Sequence, residues 1–163
     1  LSTDYEAHRR LIELNVVGTV HLAHRLLPAM VKRREGRLLF TSSVAATTPG
    51  PYESTYAASK AFVQSFALAL RRELNGTGVT VTSLMPGPTD TNFFARAGLT
   101  NTKLGRAKKD DPDTVAQDGF EAMMAGRDHV VGGSFKNTVQ VVVGRVVPER
   151  VKAALHGVLS KPR

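Results

Sequence analysis

The arrangement of apolar and polar positions predicts helices and strands in alternation. Apolar residues recur at helical spacing over residues 4–34 and again over residues 54–74. A short apolar run follows each of these segments, at residues 38–40 and 79–85, and glycine or proline stands beside both runs. Such runs are typical of strands that are covered on both faces of a parallel sheet. The pattern therefore predicts an α/β fold.

The last third of the chain carries weaker signals. Asp111 and Pro112 indicate a helix start, because a carboxylate caps the first amides and proline suits the first turn. That helix should run to about Ala125. A short last strand is expected over residues 129–133, at the far edge of the sheet. Residues 139–147 are ambiguous, since their valines favour a strand while the spacing of their polar residues allows a helix.

Composition and charge exclude several classes of function. The 163 residues include no cysteine, which excludes disulfides, thiolate chemistry and cysteine-ligated metal sites. The net charge of +8 invites a nucleic-acid partner, but the basic residues are scattered and we assign none. No apolar run approaches the roughly 18 to 20 residues that cross a bilayer, and no signal peptide opens the chain. A cytoplasmic location without a membrane span is therefore expected, and no metal site is predicted.

Three residues suggest proton-transfer chemistry. Ser43 follows the first predicted strand, at the end where open α/β sheets place their ligands. Tyr56 and Lys60 are four residues apart and so fall on one face of the next predicted helix. Because a nearby ammonium favours the phenolate, Lys60 is expected to lower the pKa of Tyr56 and make it a general acid or base. Ser43 would hold the reacting oxygen by a hydrogen bond.

The Tyr-x-x-x-Lys pair is a weak motif when taken alone. With three tyrosines and eight lysines in the chain, it arises by chance roughly one time in seven. Two further features strengthen it, namely Asn15 within the first helical pattern and Pro86-Gly87 directly after the second strand.

Together these features resemble the short-chain dehydrogenase/reductase family, whose Asn, Ser, Tyr and Lys tetrad occurs in this order and near these spacings. The resemblance extends over about residues 11–133 and is densest over residues 36–91. It implies a three-layer, doubly wound parallel sheet of the Rossmann type and a cofactor that is NAD or NADP. The implied activity is an oxidoreductase that interconverts a small-molecule alcohol and a ketone or aldehyde by hydride transfer.

The resemblance also implies a role for each residue of the tetrad. Tyr56 is the implied general acid or base, and Lys60 lowers its pKa and binds the nicotinamide ribose. Ser43 orients the substrate oxygen, and Asn15 positions Lys60 through a water. For Asn15 the alternative is an amide whose hydrogen bonds are merely satisfied in the core.

Other implied contacts lie further along the chain. The implied cofactor-binding residues are Asn15, Tyr56, Lys60, Pro86, Gly87, Thr89 and Thr91. The family places a substrate lid over about residues 90–110, and the implied substrate-binding residues are Ser43, Phe93 and Phe94. The alternative for the two phenylalanines is that they only pack the lid onto the body of the domain.

The sequence departs from the family in one major respect. The family binds its dinucleotide with a glycine-rich turn after the first strand and an Asn-Asn-Ala-Gly stretch after the fourth, and this sequence contains neither. Residues 1–5 resemble the segment after the fourth strand, so the chain should lack the amino-terminal strands. We expect residues 1–133 to form the carboxyl-terminal half of a dinucleotide-binding oxidoreductase domain. Residues 134–163 should form a basic helical extension. Residues 139–147 are expected to be helical, because this part of the chain resembles family members with basic carboxyl-terminal helices.

The two long helices suggest how the chain assembles. Their pattern alone shows only that two large helical faces must be buried. The resemblance implies a homodimer or homotetramer through residues 4–34 and 54–74. A rival interpretation is a non-enzymatic dimerising or regulatory relative, or an inactive fragment, that has lost the cofactor site. A truncated chain of an active enzyme is the preferred interpretation.

Overall fold

A computed structural model describes residues 3–144 and 146–161. The helices are α1 (Tyr5–Ile12), α2 (Gly18–Arg33), α3 (Ser54–Glu73), α4 (Phe93–Arg96), α5 (Lys103–Arg106), α6 (Pro112–Met124), α7 (Phe135–Gly144) and α8 (Glu149–Ser160). The strands are β1 (Gly36–Thr41), β2 (Val79–Pro86) and β3 (His129–Gly132). A π-helical turn, Glu13–Val17, joins α1 to α2, and a 3-10 turn, Val44–Thr47, follows β1. The predicted alternation of helices and strands is confirmed.

The three strands form one parallel sheet in the order β1-β2-β3. Gly36 pairs with Val79 at the start of the first ladder, and Ser83 pairs with His129 at the start of the second. The chain passes from β1 to β2 through α3 and from β2 to β3 through α6, as parallel neighbours require. The prediction that the last strand lies at the sheet edge is confirmed.

Helices cover both faces of this sheet. Successive strand residues point to opposite faces, and one face packs against α2 and α3. The apolar residues of that layer are Leu27, Met30, Val31, Leu38, Phe40, Ala67, Leu70, Leu74, Val79 and Val81. Burial of these apolar side chains keeps α3 packed against this face of the sheet.

The opposite face packs against α6. A Cβ added at Gly119 would lie 2.8 Å from Leu84 and 3.4 Å from Leu39, so glycine allows α6 to approach the sheet closely. Asp111 caps α6, because its Oδ2 accepts a hydrogen bond from the amide of Thr114 at 2.9 Å. The three-layer, doubly wound arrangement is therefore confirmed, and so is the predicted start of this helix.

The final two helices pack onto the body of the domain. Residues 139–147 were ambiguous by pattern, and the structure places residues 139–144 in α7, which contacts β3 and the 3-10 turn. Helix α8 contacts α5, and the Nζ of its buried Lys152 donates to the carbonyl oxygen of Thr47 at 3.2 Å. The predicted division of the chain at residue 133 stays a prediction.

The apolar stripe of the first helices is only partly covered. Leu27 and Met30 pack into the core, whereas Leu14 and Leu26 are exposed. The predicted dimer interface over residues 4–34 and 54–74 therefore stays a prediction. Within residues 3–144 and 146–161, no helix has both the length and the hydropathy that crossing a membrane requires.

Candidate active site

The carboxyl ends of β1 and β2 meet at one edge of the sheet, and the predicted site lies there. Ser43 follows β1 and Pro86 ends β2, and the hydroxyl of Ser43 donates to the carbonyl oxygen of Pro86 at 3.5 Å. Helix α3 runs beside this edge, because the hydroxyl of Ser42 donates to the carbonyl oxygen of Lys60 at 2.9 Å. The fold thus brings together residues that are far apart in the chain.

Tyr56 and Lys60 project from neighbouring turns of α3. The Nζ of Lys60 lies 5.8 Å from the centroid of the Tyr56 ring and donates to the carbonyl oxygen of Thr41 at 2.9 Å. The ring of Phe93, from α4, lies against Tyr56 at a centroid distance of 5.1 Å. Tyr56 is therefore held between the end of β1 and the start of the predicted lid.

The environment of Tyr56 raises its pKa above the ordinary value of 10.0. Burial disfavours the phenolate most strongly, a hydrogen bond with Ser43 acts in the opposite direction, and the charge of Glu53 raises the pKa further. The prediction that Lys60 lowers the pKa of Tyr56 is wrong for this structure. The reason is that burial of the phenol dominates, while the Lys60 ammonium lies 5.8 Å from the ring centroid and bonds to the carbonyl oxygen of Thr41.

Burial also lowers the pKa of Lys60, because the charged ammonium loses solvent. Its bond to the Thr41 carbonyl oxygen uses one of the three N–H donors that a lysine ammonium carries. An ammonium held in this way can donate to hydroxyl groups of a bound molecule.

Asn15 lies in the π-helical turn, a feature that is frequent at functional sites. Its Nδ2 donates to the hydroxyl of Ser59 at 3.0 Å, and Ser59 in turn donates to the carbonyl oxygen of Tyr56 at 2.7 Å. Asn15 is thus linked to the turn of α3 that carries Tyr56 and Lys60. Both interpretations of Asn15, as catalytic or as a satisfied polar residue, agree with these contacts.

The predicted cofactor-binding turn after β2 is compact. The hydroxyl of Thr89 donates to the carbonyl oxygen of Gly87 at 2.9 Å, and Thr89 forms a parallel bridge with Asp110. Thr91 is exposed, and its hydroxyl accepts a hydrogen bond from the amide of Phe93 at 3.3 Å. Pro86, Gly87 and Thr89 therefore lie at the sheet edge, whereas Thr91 lies two residues before α4.

The two phenylalanines of the lid differ in position. Phe93 is half-buried and contacts Tyr56 directly. Phe94 is only 5% exposed and packs edge to face on Phe93 at 5.3 Å, with the Nζ of Lys109 5.0 Å from its ring centroid. Phe93 therefore lies beside Tyr56, whereas Phe94 is buried against residues of its own segment, and the substrate-binding role of both stays a prediction.

Comparison with known proteins settles the family. A sequence model of the family described as short chain dehydrogenase matches residues 1–102. The chain belongs to this family. The dehydrogenase/reductase SDR family member 7B of Rattus norvegicus is 32% identical over 156 residues, which cover 90% of this chain and 47% of that protein.

Solved short-chain dehydrogenases share the fold. One from Burkholderia cenocepacia J2315, in complex with NADP, superposes with a TM-score of 0.77 and 26% identity, covering 96% of this chain and 62% of that one. A 3-oxoacyl-(acyl-carrier protein) reductase from Brucella melitensis, with bound NAD, gives a TM-score of 0.61 and 28% identity over 82% and 54% of the two chains. The predicted resemblance and the predicted fold are confirmed. The chain spans about half the length of the curated relatives that it matches.

One feature at this edge of the sheet suits the ribose of a nicotinamide cofactor, because the Lys60 ammonium has N–H donors left for its hydroxyl groups. The glycine-rich turn that the family uses for the phosphates does not occur in this sequence. Among the residues that the structure describes, no three His, Asp or Glu side chains are grouped as a metal ion would need.

Sequence reasoning missed Glu53, which precedes Tyr56 by one helical turn. Its side chain is 8% exposed, and its buried Oε1 has no hydrogen-bond partner among the described residues. The nearest cation-forming group is His156 on α8, whose Nε2 lies 3.9 Å from that oxygen. Residues three apart are neighbours on a helix surface, so the spacing between Glu53 and Tyr56 was a signal in the sequence that would have identified Glu53.

Proposed function

We propose that this chain supplies the catalytic half of an NAD(P)-dependent oxidoreductase that interconverts an alcohol and a ketone or aldehyde. The observation that carries the proposal is the meeting of Ser43, Tyr56 and Lys60 at the carboxyl ends of β1 and β2. The family to which the chain belongs supports the same chemistry, and relatives with bound NADP or NAD support a nicotinamide cofactor.

The cofactor, when bound, supplies or accepts the hydride. In the reducing direction, Tyr56 donates its hydroxyl proton to the substrate oxygen, and Ser43 holds that oxygen by a hydrogen bond. The raised pKa of Tyr56 keeps the phenol protonated at neutral pH, which suits a general acid. In the oxidising direction Tyr56 must be a phenolate before it can accept a proton, and the same environment disfavours the phenolate.

Other residues would position the two reactants. We assign Lys60, Pro86, Gly87 and Thr89 to the nicotinamide end of the cofactor. Asn15 supports this end by its contact with Ser59, which lies next to Lys60 in α3. Thr91 is a weaker candidate because it is exposed and its hydroxyl already accepts a hydrogen bond from the amide of Phe93.

Phe93 offers the substrate an apolar wall beside Tyr56, since the two rings are in contact. The proposed substrate is a small-molecule alcohol or carbonyl compound. The proposal also includes a cytoplasmic location and a homodimer or homotetramer through residues 4–34 and 54–74, to which the exposed Leu14 and Leu26 would contribute.

The test is Tyr56→Phe in the complete protein that contains this chain. The variant keeps the ring that packs on Phe93 and removes only the hydroxyl, so cofactor affinity should change little. Loss of a general acid should lower kcat/KM by roughly 10²- to 10⁴-fold, measured by nicotinamide absorbance. Tyr52→Phe, at a tyrosine that is 61% exposed, is the matched control and should retain full activity.

Undiminished turnover in Tyr56→Phe would contradict the assignment. If no alcohol or carbonyl compound is turned over with either cofactor, and a stable oligomer forms without one, the rival interpretation of a dimerising relative would replace it.

A further inference from the structure

Asn137, on α7, is a buried polar residue close to the turn that follows β2. It is 5% exposed. Its Nδ2 donates to Oδ2 of Asp110 at 2.7 Å and to the carbonyl oxygen of Gly132 at 2.9 Å. Both bonds join α7 to segments that lie at the carboxyl edge of the sheet.

The amide of Asn137 also lies directly against Gly87. A Cβ added at Gly87 would stand 2.2 Å from Nδ2 of Asn137 and 2.3 Å from both Cγ and Oδ1. These distances leave no room for any side chain at position 87. Gly87 is not among the residues of positive φ, so this contact, and not a left-handed backbone, accounts for the glycine.

Asp110 holds the same turn from its other side. Its amide donates to the carbonyl oxygen of Pro88 at 2.8 Å, and its carbonyl oxygen accepts from the amide of Asp90 at 2.9 Å. The turn after β2 is thus fixed between the backbone of Asp110 and the side chain of Asn137. The side chains of Asp110 and Asn137 are themselves joined by a hydrogen bond.

We propose that Asn137 is a positioning residue for hydride transfer, acting through Gly87. The inference rests on the proposed function, in which the turn after β2 carries the nicotinamide end of the cofactor. Hydride transfer needs the reacting atoms within about 3–3.5 Å, and a misplacement of about 1 Å can reduce the rate roughly 10²-fold. By filling the space behind Gly87, the amide of Asn137 sets how far the turn stands from the Tyr56 hydroxyl.

The first test is a double-mutant cycle in the complete protein. Gly87→Ala alone drives a methyl group into the amide and should lower kcat about 10²-fold. Asn137→Ala alone removes the support and should lower kcat about tenfold, with a smaller change in cofactor KM. Because Asn137→Ala also vacates the space that the methyl needs, the double variant should be at least tenfold more active than Gly87→Ala. Gln140→Ala, on the exposed face of α7, is the matched control and should behave as the unsubstituted protein.

A second pair of variants preserves side-chain volume, so it decides the question even if Asn137→Ala does not fold. Asn137→Asp places a second carboxylate beside Asp110, in place of a 2.7 Å hydrogen bond, and should lower kcat. Adding Asp110→Asn returns one donor and one acceptor to the pair and should restore part of the activity, because the carbonyl oxygen of Gly132 still lacks its donor.

The kinetic isotope effect with deuterated cofactor separates positioning from a purely structural role. It should rise in Asn137→Asp, because hydride transfer itself becomes slower, and fall again in the exchanged pair. An unchanged kcat and isotope effect in Asn137→Asp, or no recovery in either double variant, would overturn the inference. Absence of turnover in the unsubstituted protein would overturn the proposed function first, and this inference with it.

Discussion

Arg71 joins the carboxyl-terminal part of α3 to the sheet and to the turn before β3. Its Nη1 donates to the carbonyl oxygen of Val81 at 2.8 Å, and its Nη2 donates to that of Gly126 at 2.7 Å. The side chain is half-buried. Arg71→Met keeps most of the aliphatic stem and removes both donors, so it tests how firmly α3 is held in place.

The expected cost follows from these contacts. A hydrogen bond that involves a charged group contributes about 1.5–3 kcal/mol, so the two short bonds together contribute at most about 3–6 kcal/mol. A third bond, from Nη1 to the carbonyl oxygen of Arg127, is long at 3.4 Å and adds little. Water can reach a half-buried site and form hydrogen bonds with the carbonyl oxygens that lose their donor. We therefore expect a loss of about 2–4 kcal/mol in the free energy of unfolding. For a chain of this length each kcal/mol lowers Tm by about 2–4 °C, so Tm should fall by roughly 4–16 °C.

Urea unfolding and thermal melts followed by circular dichroism measure both quantities. Arg72→Met is the matched control, because Arg72 is exposed and its substitution should cost less than about 0.5 kcal/mol. If Arg71→Met and Arg72→Met unfold within about 0.5 kcal/mol of one another, the reasoning fails. A loss confined to Arg71→Met would show that the helix bearing Tyr56 is held by these two carbonyl contacts.

Three further predictions concern Tyr56 and a glycine turn at the amino end of β2. Glu53→Gln removes a charge that raises the pKa of Tyr56, so this pKa should fall. NMR of the tyrosine ring carbons measures it, with Tyr56→Phe to assign the signal. An unchanged pKa would exclude Glu53 as a cause of the shift. The pKa of Tyr56 is higher in the folded protein than in the unfolded chain. The contribution of Tyr56 to the free energy of unfolding is therefore present below a pH of about 10 and is lost as the pH rises through the folded-state pKa. Gly78→Ala should cost at least about 1 kcal/mol more than Gly76→Ala. Both glycines have positive φ, but only at Gly78 would a Cβ collide, 2.0 Å from the carbonyl oxygen of Arg34; equal costs would contradict this.

Local patterns in the sequence were enough to predict the order of elements and much of the site. The apolar runs of β1 and β2 are short and bounded by glycine or proline, and helical spacing extends over α2 and α3. The four-residue interval between Tyr56 and Lys60 places both on one helical face whatever the rest of the chain does. Ser43 was chosen as a candidate because open α/β sheets bind ligands at the carboxyl ends of their strands, and the structure places it at such an end. These features depend on neighbours in the chain, so the sequence alone determined them.

Contacts between distant residues were decided only by the tertiary structure. Asn137 lies fifty residues after Gly87, and no periodicity relates the two, yet their packing shapes the turn after β2. The pattern could not separate Phe93 from Phe94, because which ring contacts Tyr56 depends on how α4 docks. The pKa of Tyr56 was predicted with the wrong sign, since spacing shows the neighbouring lysine but not the burial of the phenol or the charge of Glu53. Desolvation depends on the whole fold, and only the tertiary structure specifies it.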